Sequence, residues 1–302
     1  MADEKIIKTF DKILEEQDII LVDGSLRKEE GNGIGWDIYD AKRYDEINLK
    51  ILEETKQAFL DFISILKNEK VFTIREVSGE IEKLEKILNK KKRVSDENRQ
   101  ARYRGYYELF AIKARRRKER ESNGELALTE LQELVYQTRK IAERKNLLFD
   151  EKYSILFKMA WQISEKIKLK KDTSHFLGTH LEDKSYQSNT DEKLFSAILW
   201  LSLFSDKKPA LLTRDTDFVR LFGVIPRIIG SDDFNLYNKF FRKRLKENPF
   251  SLYMKENENT YSLAVTSANA RYEKEFRIIN TTETENTKLK GEIQTLWQKM
   301  CE

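Results

Sequence analysis

The stretch Ala210-Leu211-Leu212-Thr213-Arg214-Asp215-Thr216-Asp217-Phe218 constrains this chain more than any other. Its apolar start shows no polar alternation, so it reads as a short, fully buried strand of the kind found in parallel sheets. The polar residues arrive where such a strand gives way to a helix. In open α/β sheets that carboxyl edge is where ligands bind. Two aspartates two residues apart at such an edge either solvate a loop or hold a cation.

Other parts of the chain repeat the pattern. Ile19-Ile20-Leu21-Val22 is a second apolar strand, rich in β-branched residues, and it ends in Asp23 with Ser25 two positions on. Taken alone, Asp23 is a turn or N-cap residue. Val71-Phe72-Thr73 is a third short strand. Thr73 and Glu76 have capping-box spacing for the helix that follows, and Glu80 lies one turn further along the same face. Asn189-Thr190-Asp191-Glu192 opens a helix that is apolar nearly all round from Leu194 to Phe204, which marks a core helix. Asn189 or Thr190 reads as its cap, and Asp191 gains from the helix macrodipole.

Each acid has an ordinary structural role, but the set is harder to dismiss. Asp23, Glu76, Asp191 and Asp215 all sit where a strand or loop meets a helix, in a chain that alternates β and α. A parallel sheet would bring such boundaries to one edge. Gathered carboxylates cannot all ionise without a counter-charge, and oxygen ligands with no His or Cys among them suit Mg²⁺ or Mn²⁺.

Composition removes competing chemistries. The single cysteine, Cys301, excludes an intramolecular disulfide and a Cys-based zinc cluster. The two histidines, His175 and His180, fall on different helix faces, so a Ser-His-Asp or Cys-His mechanism has little material. Gly31, Gly33 and Gly35 lack phosphate-loop spacing and read as a flexible loop. No apolar run approaches the ~20 residues of a membrane span, and Met1 to Ile7 lacks a signal-peptide core. A cytoplasmic location with no membrane partner is the expectation.

Charge is unevenly placed. The chain carries +4 overall, yet residues 89–120 hold thirteen Lys or Arg against four Asp or Glu, so this segment is +9 and the remainder −5. Lys90, Lys91, Lys92 and Arg93 form one cluster, Arg102 and Arg104 follow, and Arg115, Arg116, Arg117 and Lys118 form another. Tyr103, Tyr106, Tyr107 and Phe110 lie among them. Cations neutralise phosphates and aromatic faces stack on bases, which points to a nucleic-acid surface. The alternative is a solvated helical face with inward tyrosines.

The motifs Ile19-Ile-Leu-Val-Asp23-Gly-Ser25, Thr73-Ile-Arg-Glu76-Val-Ser-Gly79, Thr190-Asp191 before the apolar helix, and Leu212-Thr-Arg-Asp215-Thr-Asp217-Phe218 resemble, in that order, those of the PIN domain ribonucleases. Gly223 to Gly230 suits that family's closing strand. The resemblance covers residues 17–85 and 186–230. It implies a three-layer α/β/α fold with a central parallel sheet. It also implies an acidic quartet of Asp23, Glu76, Asp191 and Asp215 holding Mg²⁺ or Mn²⁺, with Asp217 as an accessory ligand. Ser25 and Thr213 would orient ligands or phosphate, and Glu80 could substitute for Glu76. The implied activity is endonucleolytic hydrolysis of RNA, leaving a 3′-hydroxyl and a 5′-phosphate. The chain departs from the family's small toxins in the long basic interval between Glu76 and Asp191, and in Gly24 where a hydroxyl residue is common. A non-catalytic module that binds RNA or protein, and a DNA nuclease of the flap-endonuclease class, are the alternatives.

The resulting domain scheme has a first core part at 1–85, a basic helical insertion at 86–185, a second core part at 186–232 and a C-terminal extension at 233–302. Within it, residues 4–17, 45–66, 126–145, 150–169 and 283–300 have helical spacing, and 251–255 with 261–265 read as a hairpin. In the last helix Leu289, Ile293, Leu296 and Met300 form one stripe. That stripe either packs on its own domain or serves as a dimer or partner surface.

Overall fold

The computed structural model describes residues 6–27, 49–102, 111–171, 189–216, 218–219, 221–223, 238–257, 259–267 and 283–301. In chain order the elements are β1 (Ile7–Thr9), α1 (Phe10–Glu16), β2 (Ile19–Val22), a 3₁₀ turn (Gly24–Arg27), α2 (Leu49–Leu66), β3 (Val71–Phe72), α3 (Arg75–Arg102), α4 (Ala111–Arg144), α5 (Glu151–Lys171), α6 (Thr190–Phe204), β4 (Pro209–Thr213), α7 (Asn238–Glu247), β5 (Ser251–Lys255), β6 (Thr260–Thr266) and α8 (Glu283–Cys301). The chain is a mixed α/β protein that divides into two compact units. Met1–Asp23 with Leu147–Glu302 form one, and Gly24–Asn146 form the other.

The first unit is built on a mixed sheet whose strands run in the order β1-β6-β5-β4-β2. β2 pairs in parallel with β4, and β4 with β5, while β6 returns antiparallel to β5 and β1 antiparallel to β6. The sheet is therefore not purely parallel, as the resemblance implied. The hairpin foreseen at 251–265 forms, but it belongs to the sheet rather than to an extension. β2 and β4 are buried at every position, which explains their unbroken apolar runs. Residues 4–17 do not form one helix. Ile7–Thr9 pair with β6, and the Thr9 side chain then caps α1 by accepting from the Lys12 N–H at 3.5 Å.

Helix α6 is the core helix of this unit and packs against β4, α5 and α7. Phe195 on α6 meets Phe222 edge-on at 5.0 Å, and Phe222 meets Phe250 at 5.1 Å and Phe218 at 6.1 Å. The C-terminal end of α6 is clamped from α7. The buried Asn248 amide nitrogen faces the carbonyls of Ser205 (2.9 Å), Lys207 (3.0 Å), Leu201 (3.3 Å) and Ser202 (3.3 Å). Arg244 donates through Nε to Leu203 and through a terminal nitrogen to Ser205, both at 3.0 Å. Helix α8 packs on α5, burying Ile293, Trp297 and Met300, and Trp297 lies edge-on to Phe241 at 5.4 Å.

The second unit has its own core, with α4 packed along α2 and α3. Its buried set includes Phe59, Phe62 and Leu66 of α2, Val77, Ile81, Leu84 and Leu88 of α3, and Leu128, Leu131 and Val135 of α4. Arg139 on α4 ties the helices together, donating to Glu85 at 2.6 Å and to Glu143 at 2.7 Å. β3 continues into a parallel bridge between Thr73 and Asn146.

Candidate active site

Strand register builds the first part of the site. In the β2–β4 pair Val22 lies opposite Leu212, so the next step along each strand sets Asp23 beside Thr213. The Asp23 N–H donates to the Leu212 carbonyl at 3.1 Å, carrying the ladder one residue past the strand. The Thr213 hydroxyl then donates to the Asp23 carboxylate at 2.9 Å and accepts the Asp215 backbone N–H, also at 2.9 Å. One fully buried hydroxyl thus joins the two aspartate positions. Asp23 is only 5% exposed, while Asp215 is half-buried.

Phe218 secures the loop that bears Asp215. It is fully buried and packs against Phe222, so the loop cannot lift without exposing an aromatic ring. Burial of such a ring contributes about 1.5–3 kcal/mol. The backbone of Asp215 is therefore fixed from both sides, by a hydrogen bond and by an apolar anchor.

Asp191 lies in the first turn of α6 and is half-buried. The N-cap is Asn189, in the left-handed region at φ 50°, and its side chain makes no cap hydrogen bond. Capping by the Asn189 side chain is thus corrected. Asn has the short polar side chain that tolerates this conformation. Sequence reasoning passed over Glu192, which is 1% exposed and the most deeply buried carboxylate among the described residues. Its place before the apolar run of α6 was the available signal, since the inward face of that helix already includes it.

The remaining candidates lie in the second unit. Ser25 is buried in the 3₁₀ turn, and Glu76 and Glu80 are half-buried in the first two turns of α3. Lys90, Lys91, Lys92, Arg93 and Arg102 fall within α3, and Arg115, Arg116, Arg117 and Lys118 within α4. Asp217, Arg104, His175, His180 and residues 224–230 lie outside the described residues. Among the described residues, no group of three or more His, Cys, Asp or Glu is arranged to hold a metal ion. What the first unit brings together is the Asp23–Thr213–Asp215 linkage. No described helix is long and apolar enough to cross a membrane.

Comparison with protein-family models, with curated proteins and with solved structures found no match.

Proposed function

We propose that this chain is a divalent-metal-dependent nuclease acting on RNA. The observation that carries the reading is the buried Thr213 hydroxyl that holds the Asp23 carboxylate and the Asp215 backbone together at the carboxyl ends of two parallel strands. That edge is where α/β sheets bind ligands.

The donor set suits a hard ion. Asp23 and Asp215 offer carboxylate oxygens. Mg²⁺ keeps several waters and takes one or two carboxylates beside substrate phosphates, so two protein carboxylates suffice without a three-residue cage. A bound ion would polarise the scissile phosphate and lower the pKa of an attacking water. Asp23, buried and hydrogen-bonded, supplies a charge that cannot swing away. Asp215 stands half-buried on a pinned loop. The +9 segment at residues 89–120 supplies sequence-independent affinity for phosphates.

The test compares wild type with Asp215→Asn on 5′-labelled single-stranded RNA and on branched DNA, with Mn²⁺ and with chelator. The expected result is Mn²⁺-dependent cutting of RNA, reduced about 10²-fold or more in the variant. Cutting that survives both chelator and Asp215→Asn overturns the reading. Preference for branched DNA would move the assignment to a flap-type nuclease, and salt-sensitive binding without cutting would make it a binding module.

A further inference from the structure

A row of aromatic side chains on the first unit lies outside the carboxylate site and has no part in the account above. Phe149 stacks on Tyr153 with centroids 4.3 Å apart and planes 17° from parallel, and meets Trp200 edge-on at 5.4 Å. Trp200 continues to Phe204 at 6.5 Å. All four rings are half-buried, and the neighbouring Leu148 is 93% exposed. Half-buried aromatic rings gathered at a surface are of the side-chain type enriched at interfaces.

One lysine lies over a ring of the row and a second over a further ring on α5. The Lys152 ammonium lies 4.9 Å from the Phe204 ring centroid, and the Lys193 ammonium 5.5 Å from that of Phe157. Lys193, Trp200 and Phe204 are spaced i, i+7 and i+11, which places them on one face of α6 over about 16 Å. The indole of Trp200 is oriented by its N–H, which donates to Asp150 at 2.7 Å. That bond also engages one of the two acids at this end of α5, Asp150 and Glu151. Lys193 follows Asp191 by two residues in the first turn of α6. The Tyr153 hydroxyl reaches the Lys193 carbonyl at 3.4 Å.

We propose that this aromatic row along α5 and α6 is a stacking track for single-stranded nucleic acid. Aromatic rings with flanking cations are the sequence-tolerant way to hold a strand, since every base has a π face and every linkage a charge. The proposal rests on the nuclease reading.

The experiment is kept independent of cutting. Binding of a fluorescein-labelled single-stranded RNA 15-mer is measured by anisotropy in chelator, using the full chain carrying Asp215→Asn, at several salt concentrations. Adding Lys152→Gln with Lys193→Gln is expected to weaken binding and to flatten the salt slope by about 1.4, the value for two phosphate contacts on a single strand. Adding Trp200→Leu is expected to weaken binding about tenfold. Far-UV circular dichroism and thermal midpoints check folding, and the lysine pair keeps the test valid should Trp200→Leu destabilise the helix. Unchanged affinity and salt slope in the lysine pair overturn the track, whether or not the wild-type protein cuts RNA. Weaker binding there supports it even if no cutting is found.

Discussion

The two ends of α6 are held in different ways. At its C-terminal end Arg244 of α7 and Asn248, just beyond that helix, engage the carbonyls of Leu201, Ser202, Leu203, Ser205 and Lys207. At its N-terminal end Asn189 makes no side-chain cap bond, the backbone turns through φ 50°, and Asp191 and Glu192 stand in the first turn. The helix is thus built with one end devoted to stability and the other carrying acids. The clamp fixes where α6 ends and β4 begins.

The largest effect should come from the acid-bearing edge. Asp23→Asn keeps the shape of the side chain and removes its charge, so cutting should fall about 10²–10³-fold, read by single-turnover cleavage of labelled RNA. The thermal midpoint should move little by comparison. At the clamped end the pattern reverses. Asn248→Leu leaves buried carbonyls without their amide donor, and unfolding free energy should drop by about 3 kcal/mol in a urea titration. The cutting rate per folded molecule should stay near wild type. A variant at Asn248 that lost activity while remaining fully folded would break the comparison.

Two smaller changes sharpen it. Thr213→Val removes the hydroxyl that links Asp23 to the Asp215 backbone, and should cost about 1–2 kcal/mol. Thr213→Ser should restore both stability and cutting, which separates the role of the hydroxyl from that of the methyl. At the other end, Asn189→Gly relieves a left-handed residue and should raise stability by no more than about 0.5 kcal/mol in the same titration, since Asn already tolerates this region. A clear loss would mean that the Asn189 side chain has a role its cap geometry does not reveal.

Much of this was legible in the sequence, where one face of a segment decides its fate. β2, β4 and the core helix α6 announce themselves because residues buried on all sides must be apolar without interruption. The Thr213–Asp215 turn was legible for the same reason, as polar residues ending a buried strand have few places to go. β1 was not. Ile6, Ile7 and Phe10 have spacing that suits a helix, and only pairing with Tyr261 and Ser262, some 250 positions away, makes Ile7–Thr9 a strand. α7 was missed although Phe241 and Leu245, both fully buried, stand at i, i+4, because two apolar positions among many lysines and arginines make a short signal. Glu192 was missed because a charged residue is read as outward-facing unless its neighbours in space are known. The last helix was read with Leu296 in its buried stripe, but the large ring of Trp297 takes that place against Phe241.

The sheet's pairing order also bears on how such a chain is made. β2 must wait for β4, about 190 positions later, and β1 must wait for β6. By contrast, the helices of Gly24–Asn146 find their partners within one continuous segment. On a ribosome that segment would be complete, and able to collapse, while Ile19–Val22, with its four buried-type apolar residues, still lacked β4. Long-range parallel pairing forms slowly and leaves sticky strands uncovered in the meantime. Newly made chains interrupted before residue 213 should therefore be the aggregation-prone species, and holding factors would find their binding site in β2.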